Sequence, residues 1–85
     1  MFGQKRSEVE ISADILRLAM SGVRKSHIVY QANLNFEIVK KYLDILKKSN
    51  LISGPCENKV FKTTEKGLKY LDHFEGFQKY VKDSI

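Results

Sequence analysis

The sequence contains little of the chemistry that enzymes and secreted proteins depend on. Its 85 residues include one cysteine, two histidines, one proline and no tryptophan. A single cysteine excludes an internal disulfide and a cysteine-based metal cluster, and it is typical of a reducing compartment. No apolar run approaches the roughly 18 residues of a membrane span, and residues 1–6 lack the apolar segment of a signal peptide. We therefore expect a cytoplasmic protein with no membrane contact.

The residues that could support catalysis are few and far apart. His27 and His73 are separated by about half the chain, and Cys56 lies in a segment rich in turn residues. Nucleophilic catalysis requires a base positioned beside the nucleophile and a group that stabilises the oxyanion. No glycine-rich phosphate loop or metal-binding motif is present. We expect no enzyme activity, metal, cofactor or small-molecule ligand, and Cys56 is either a redox switch or an exposed bystander.

Positive charge is in excess. Fifteen lysines and arginines against ten acidic residues give a formal net charge of +5 and a pI near 9.4. The hydrophobic fraction of 42% and the charged fraction of 29% are those of one small folded domain, residues 1–85. A basic domain favours polyanions such as nucleic acid, although a basic surface can also serve solubility alone.

Hydrophobic periodicity and capping residues predict two helices before the middle of the chain. Helix 1 is expected over residues 7–20, with Ser7 as N-cap and Gly22 in a left-handed cap after its end. Helix 2 is expected over residues 26–32, with Ser26 as N-cap. Asn33 tolerates a left-handed conformation and would form the turn that follows. Residues 1–6 would form a basic arm.

Helix 3 is expected over residues 35–49, with Asn35 as N-cap. Steps of 100° per residue separate an apolar half from a polar half. The apolar half contains Leu34, Ile38, Val39, Tyr42, Leu43, Ile45 and Leu46. The polar half contains Phe36, Glu37, Lys40, Lys41, Asp44, Lys47 and Lys48.

A hairpin and a fourth helix complete the chain. Residues 51–53 and 59–62 would be its strands, because Gly54, Pro55 and Asn58 between them favour a turn. Helix 4 would begin after Thr64 and continue to about residue 82. It carries two apolar stripes. Leu68 and Leu71 would dock on the core, and a heptad-like seam contains Tyr70, Phe74, Phe77 and Val81. That seam would pair with a second copy; alternatively, Phe74, Phe77 and Val81 would fold back onto helix 1.

Helix, turn, helix and hairpin is the order of a winged helix-turn-helix, a mainly α fold with a small β-hairpin (α+β) and here a long C-terminal helix. Residues 7–64 would form the winged head and residues 65–85 the dimerisation helix. Such a head places one helix in the DNA major groove and the hairpin against the backbone. The candidate DNA contacts are Arg24, Lys25, Ser26, Asn35, Phe36, Lys40, Lys41, Asn58, Lys59 and Lys62.

Several of these residues have alternative roles. Asn35 could be a helix cap rather than a base contact. Lysines such as Lys40 contact phosphate more often than bases. Phe36 could contact a thymine methyl group or a sugar, or pack partly buried on helix 2. Glu37 and Asp44 repel phosphate, which leaves a protein-interaction adaptor as the alternative to a DNA-binding regulator.

Over residues 8–79 the sequence resembles the small archaeal winged helix-turn-helix DNA-binding proteins. The matching segments are Ile15-Leu16, Ser21-Gly22, Ile28-Val29-Tyr30-Gln31-Ala32-Asn33-Leu34, Lys41-Tyr42-Leu43, Leu51-Ile52 and Thr64-Glu65-Lys66-Gly67-Leu68. The resemblance implies a homodimer joined by antiparallel C-terminal helices, with two heads for duplex DNA. It implies either a transcriptional regulator or a non-specific chromatin protein. Gly76 and the short tail predict a short dimer seam instead of a long rod.

Overall fold

The computed structural model describes residues 7–84 of the chain, and the side chains of residues 7–74. Its helices are α1 (Glu8–Leu18), α2 (Lys25–Ala32), α3 (Phe36–Lys48) and α4 (Glu65–Ser84). Its strands are β1 (Val23–Arg24), β2 (Ile52–Ser53) and β3 (Val60–Thr63), which form an antiparallel sheet in the order β1-β3-β2. The predicted fold class is confirmed. The predicted basic arm lies outside the described residues.

Local capping chemistry fixes the start of α1 as the sequence predicted. The Ser7 hydroxyl accepts from the Glu10 backbone N–H at 3.1 Å, and the Glu10 carboxylate accepts from the Ser7 N–H at 2.9 Å. This reciprocal pair satisfies two of the amides that the first turn leaves without helical partners. At the other end, a short 3-10 turn over Ala19–Ser21 leads into Gly22, whose φ of 93° suits glycine.

Between α1 and α2, one local prediction was wrong and one short strand was not predicted. Ser26 does not cap α2, since the helix begins at Lys25 with Arg24 in the N-cap position and without a side-chain cap. The segment before it forms β1, where Val23 pairs with Phe61 and Arg24 pairs with Val60. The predicted hairpin of β2 and β3 is therefore part of a three-stranded sheet, in which β3 is the central strand. A strand of two residues is too short to show an alternating pattern in the sequence.

The core lies between the three helices of the head and the inner face of the sheet. Its fully buried large side chains are Ile15, Leu16, Ile28, Val39 and Leu46. Phe61 and Thr63 alternate with outward-facing residues along β3, which gives the sheet one buried face. The apolar half of α3 is not buried throughout, because Ile45 at its edge remains 46% exposed.

In the described part of the C-terminal helix, residues of both predicted stripes face the core. Leu71 is buried, but Leu68 is 42% exposed and does not dock as predicted. Tyr70 and Phe74 are half-buried and pack against the core. Part of each side chain thus packs inward, and the pairing of the seam with a second copy stays a prediction. The side chains of the other two seam residues, Phe77 and Val81, lie outside the described part of α4.

Candidate nucleic-acid interface

The turn between α2 and α3 fixes how the two helices meet. Asn33 adopts the left-handed conformation, with φ 57° and ψ 46°, as predicted. The Leu34 N–H donates to the Val29 carbonyl at 3.1 Å. At the next residue, the Asn35 side-chain oxygen accepts from the Ile38 N–H at 2.8 Å, so the predicted cap is confirmed. Because both sides of the turn are hydrogen-bonded, the N-terminus of α3 has a defined position beside α2.

The solvent-facing side of α3 carries the residues that sequence reasoning proposed for DNA. Phe36, Lys40 and Lys41 are all exposed, while Val39 and Leu43 on the other side are buried. Glu37 and Asp44 share the exposed face, so its charge is mixed and not uniformly positive. A helix with a buried back and an exposed front of this kind can lie in a groove without losing its packing.

A contact between α2 and α3 joins two of the predicted DNA residues. The Lys25 ammonium lies over the Phe36 ring, 5.6 Å from the ring centroid. Phe36 nevertheless remains 54% exposed, so it is only partly covered by α2. The structure thus combines the two alternatives for this residue, since Phe36 packs on α2 and still presents an apolar surface to solvent.

The wing, which is the hairpin of β2 and β3 with the loop between them, brings a further cation to the start of α2. Arg24, Lys25, Ser26 and Lys59 line one shallow surface depression, together with Pro55 and Phe61. They come from β1, α2 and the wing, and the pairing of β1 with β3 holds them together. Sequence reasoning missed β1, and with it the reason that Arg24 and Lys59 are neighbours.

The tip of the wing is a tight turn. The Lys59 N–H donates to the Cys56 carbonyl and the Cys56 N–H donates to the Val60 carbonyl, both at 2.9 Å. Asn58 and Lys59 both have positive φ, at 65° and 59°. Asparagine adopts this conformation readily, whereas for lysine it carries an energetic cost. The backbone thus holds Lys59 on the exposed side of the tip.

The remaining predicted cations lie on β3 and α3, outside this depression. Lys62 is exposed on β3, opposite Ser53 on β2, whose hydroxyl donates to the Lys62 carbonyl at 3.1 Å. The Lys41 ammonium lies 6.0 Å from the centroid of the Tyr42 ring. Lys40 follows Phe36 by one helical turn. The interface therefore has a compact part around Arg24, and a second part along α3.

The cations of the interface are available to a partner. Among the side chains of residues 7–74, none of Arg24, Lys25, Lys40, Lys41, Lys59 or Lys62 forms an ion pair with a carboxylate.

On the buried side of α3, burial and then the charge of Glu8 raise the pKa of the Tyr42 hydroxyl. Tyr42 therefore stays neutral at physiological pH and adds no negative charge to the interface.

Other kinds of site find little support in the described part of the chain. Its histidine, cysteine and acidic residues form no group that could hold a metal ion. None of its helices is long and apolar enough to cross a membrane. Cys56 is an exposed free thiol on the wing.

Comparison with known proteins agrees with this architecture. Uncharacterized protein MJ0287 of Methanocaldococcus jannaschii is 36% identical over 76 residues, which cover 87% of this chain and 76% of that protein. The crystal structure of Sso10a-2, described as a DNA-binding protein from Sulfolobus solfataricus, superposes with a TM-score of 0.80 at 33% identity. That match covers 92% of this chain and 84% of Sso10a-2.

A more distant structure has the same fold. A mutant form of ZitR from Lactococcus lactis superposes with a TM-score of 0.72 at 19% identity, over 99% of this chain and 64% of that one. The family model described as winged helix-turn-helix matches residues 5–82. That match spans the head and nearly all of α4, and on this basis the chain belongs to the winged helix-turn-helix family.

Proposed function

We propose that the protein binds double-stranded DNA as a homodimer and acts as a transcriptional regulator in the cytoplasm. The observation that carries the proposal is the depression where β1, α2 and the wing bring together Arg24, Lys25 and Lys59, beside the exposed N-terminus of α3. Cations without carboxylate partners are suited to phosphate, which supplies most of the affinity of non-specific DNA binding. The description of Sso10a-2 as a DNA-binding protein supports the same function.

In this arrangement the two parts of the interface have different roles. The first turns of α3 enter the major groove, where Phe36, Glu37 and Lys40 reach base edges. Arg24, Lys25, Ser26 and Lys59 contact phosphates at the groove wall, and Lys41, Asn58 and Lys62 extend these contacts along the backbone. The exposed carboxylates of Glu37 and Asp44 weaken non-specific attraction, so binding depends more on the sequence being read.

The homodimer would form through α4. Tyr70 and Phe74 are half-buried on this helix, and Phe77 and Val81 continue the same spacing of three and four residues. Two heads on one dimer bind adjacent half-sites more tightly than one head, because the first contact raises the effective concentration of the second. Sedimentation analysis of Phe77→Asp with Val81→Asp should give a monomer. A dimer that persists in this variant would contradict the seam.

Fluorescence anisotropy with a labelled mixed-sequence duplex tests DNA binding. Affinity should fall steeply between low and moderate salt, because binding displaces counterions from phosphate. Lys40→Ala with Lys41→Ala should weaken binding. It should also reduce the salt slope, which is the steepness with which the logarithm of affinity falls with the logarithm of salt concentration, by about one for each lost phosphate contact.

A matched control lies on the same helix. Lys47→Ala with Lys48→Ala removes the same charge from the last turn of α3, away from the end that enters the groove, and should weaken binding less. No binding at low salt would overturn the DNA proposal. It would favour a protein-interaction adaptor, for which the exposed Glu37 and Asp44 are suited. Equal affinity for all DNA sequences would indicate a non-specific architectural protein instead of a transcriptional regulator.

A further inference from the structure

An exposed phenyl ring on a charged helix face calls for a physical reason. Phe36 is the first residue of α3 and is 54% exposed. Keeping so much apolar surface in water forgoes the stabilisation that burial would give. The helix start does not need the ring, because Asn35 already provides the cap. Phe36 also occupies the position that enters a major groove first.

The ring is held in place by a cation from the neighbouring helix. The Lys25 ammonium lies 5.6 Å from the ring centroid, a distance at which the positive charge is attracted to the ring. Lys25 is the first residue of α2 and lines the cationic depression. An apolar surface and an ammonium group thus lie side by side at the junction of the two helices.

The neighbours of Phe36 limit which base could be read here. Recognition of adenine by asparagine uses both the side-chain oxygen and the amide nitrogen, but the Asn35 oxygen already accepts from Ile38. Glu37 can accept from cytosine and repels phosphate. Phe36 is apolar, and thymine is the base that presents an apolar group, its 5-methyl, to the major groove. The phosphates of the same strand form the adjacent wall of that groove.

We propose that Phe36 determines sequence preference by contacting the 5-methyl group of a thymine, while Lys25 holds the ring and binds a neighbouring phosphate. This inference rests on the proposed function, because it requires α3 to enter the major groove. It adds a preferred base and a specificity-determining residue to that function.

Replacement of thymine by deoxyuridine tests the contact directly. Deoxyuridine keeps the base pairing and removes the methyl group. Two duplexes rich in A·T pairs, identical except for this change, are titrated with the protein by anisotropy. The unmodified protein should bind the deoxyuridine duplex about fourfold more weakly for each contacted methyl, as expected for burial of one such group. Phe36→Ala should bind both duplexes equally, and Phe36→Leu should keep part of the discrimination.

Ile45→Ala is the matched control. Ile45 is a 46% exposed apolar residue on the same helix. Its removal should leave unchanged the ratio of the affinity for the thymine duplex to the affinity for the deoxyuridine duplex. Comparing the two variants with the two duplexes isolates the coupling between ring and methyl from any effect of deoxyuridine on DNA shape. Thermal unfolding of each variant checks that the head remains folded.

The outcomes separate the two proposals. Equal affinity of the unmodified protein for both duplexes would overturn the thymine contact and leave DNA binding intact. Failure to bind either duplex would overturn the proposed function itself. Discrimination that persists in Phe36→Ala would assign the methyl contact to another residue. For Lys25→Met, we expect a smaller salt slope and a smaller ratio of the affinities for the thymine and deoxyuridine duplexes. An unchanged salt slope would overturn the phosphate contact of Lys25.

Discussion

The Thr63 hydroxyl donates a hydrogen bond to the Leu16 carbonyl across 2.5 Å in the protein interior. Thr63 is 7% exposed and ends β3, whereas Leu16 lies in the last turn of α1. Carbonyls near the end of a helix lack some of their helical partners, and a buried one needs another donor. This bond joins the end of the wing to the first helix across 47 positions of the chain.

Thr63→Val should therefore destabilise the protein. Valine has nearly the shape of threonine but cannot donate, so the Leu16 carbonyl loses a buried partner. We expect the free energy of unfolding to fall by about 1–3 kcal/mol. Urea titrations at one fixed protein concentration measure this, because the proposed dimerisation would make apparent stability depend on concentration. Thr63→Ser keeps the hydroxyl and should lose less; a greater loss for serine would argue against the bond.

Gly67→Ala should destabilise α4 despite the better helix propensity of alanine. A Cβ at Gly67 would fall within about 3 Å of the Leu51 carbonyl oxygen and of the Thr63 methyl group. The Leu51 oxygen also accepts from the Thr64 N–H at 3.0 Å, so it cannot retreat without weakening the start of α4. Overpacking of this kind typically lowers the free energy of unfolding by about 1–3 kcal/mol. Lys66→Ala, at the exposed adjacent position, should change it by less than about 0.5 kcal/mol.

Asn35 should act through its cap. Asn35→Ala should lower the free energy of unfolding by about 1 kcal/mol, because the Ile38 N–H loses its acceptor. Asn35→Ser restores a capping oxygen and should recover most of that stability. It should also keep the DNA affinity of the unmodified protein, as measured by anisotropy. Full stability combined with a large loss of affinity would instead make Asn35 a base-reading residue.

Lys59→Gly should separate DNA binding from folding. Glycine relieves the cost of the positive φ at this position, but it also raises the conformational entropy of the unfolded chain. Because these effects oppose each other, the free energy of unfolding should change by less than about 1 kcal/mol. Loss of the ammonium should weaken duplex binding and reduce the salt slope by about one. Lys69→Ala removes one charge from the exposed side of α4 and should leave that slope unchanged.

Much of the helical architecture follows from short-range chemistry, and for that reason it could be predicted. Ser7 and Asn35 mark the starts of α1 and α3, since their side-chain oxygens reach amides three residues ahead. Asn33 could be placed in a left-handed turn because asparagine tolerates that conformation. Ser26 has the same capping preference but lies one residue inside α2, because β1 pairs directly before the helix and sets its start.

The exposure of residues in the candidate site could be predicted from the sequence, but the contacts between these residues could not. Exposure of Phe36, Lys40 and Lys41 followed from the periodicity of α3. The contact of Lys25 with Phe36 could not be predicted, because it depends on the angle at which α2 meets α3. The meeting of Arg24 with Lys59 depends on a two-residue strand whose partner, β3, belongs to the wing.

Local sequence was sufficient to set the order of the helices, most of their caps, the basic charge and the winged head. These features depend on residues within about one helical turn of each other, or on composition. Packing in three dimensions set which apolar residues are buried: Leu68 is exposed, whereas Tyr70 and Phe74 pack toward the core. It also placed Arg24 and Lys25 on one surface with Lys59, because strand pairing and helix packing join residues that are distant in the chain.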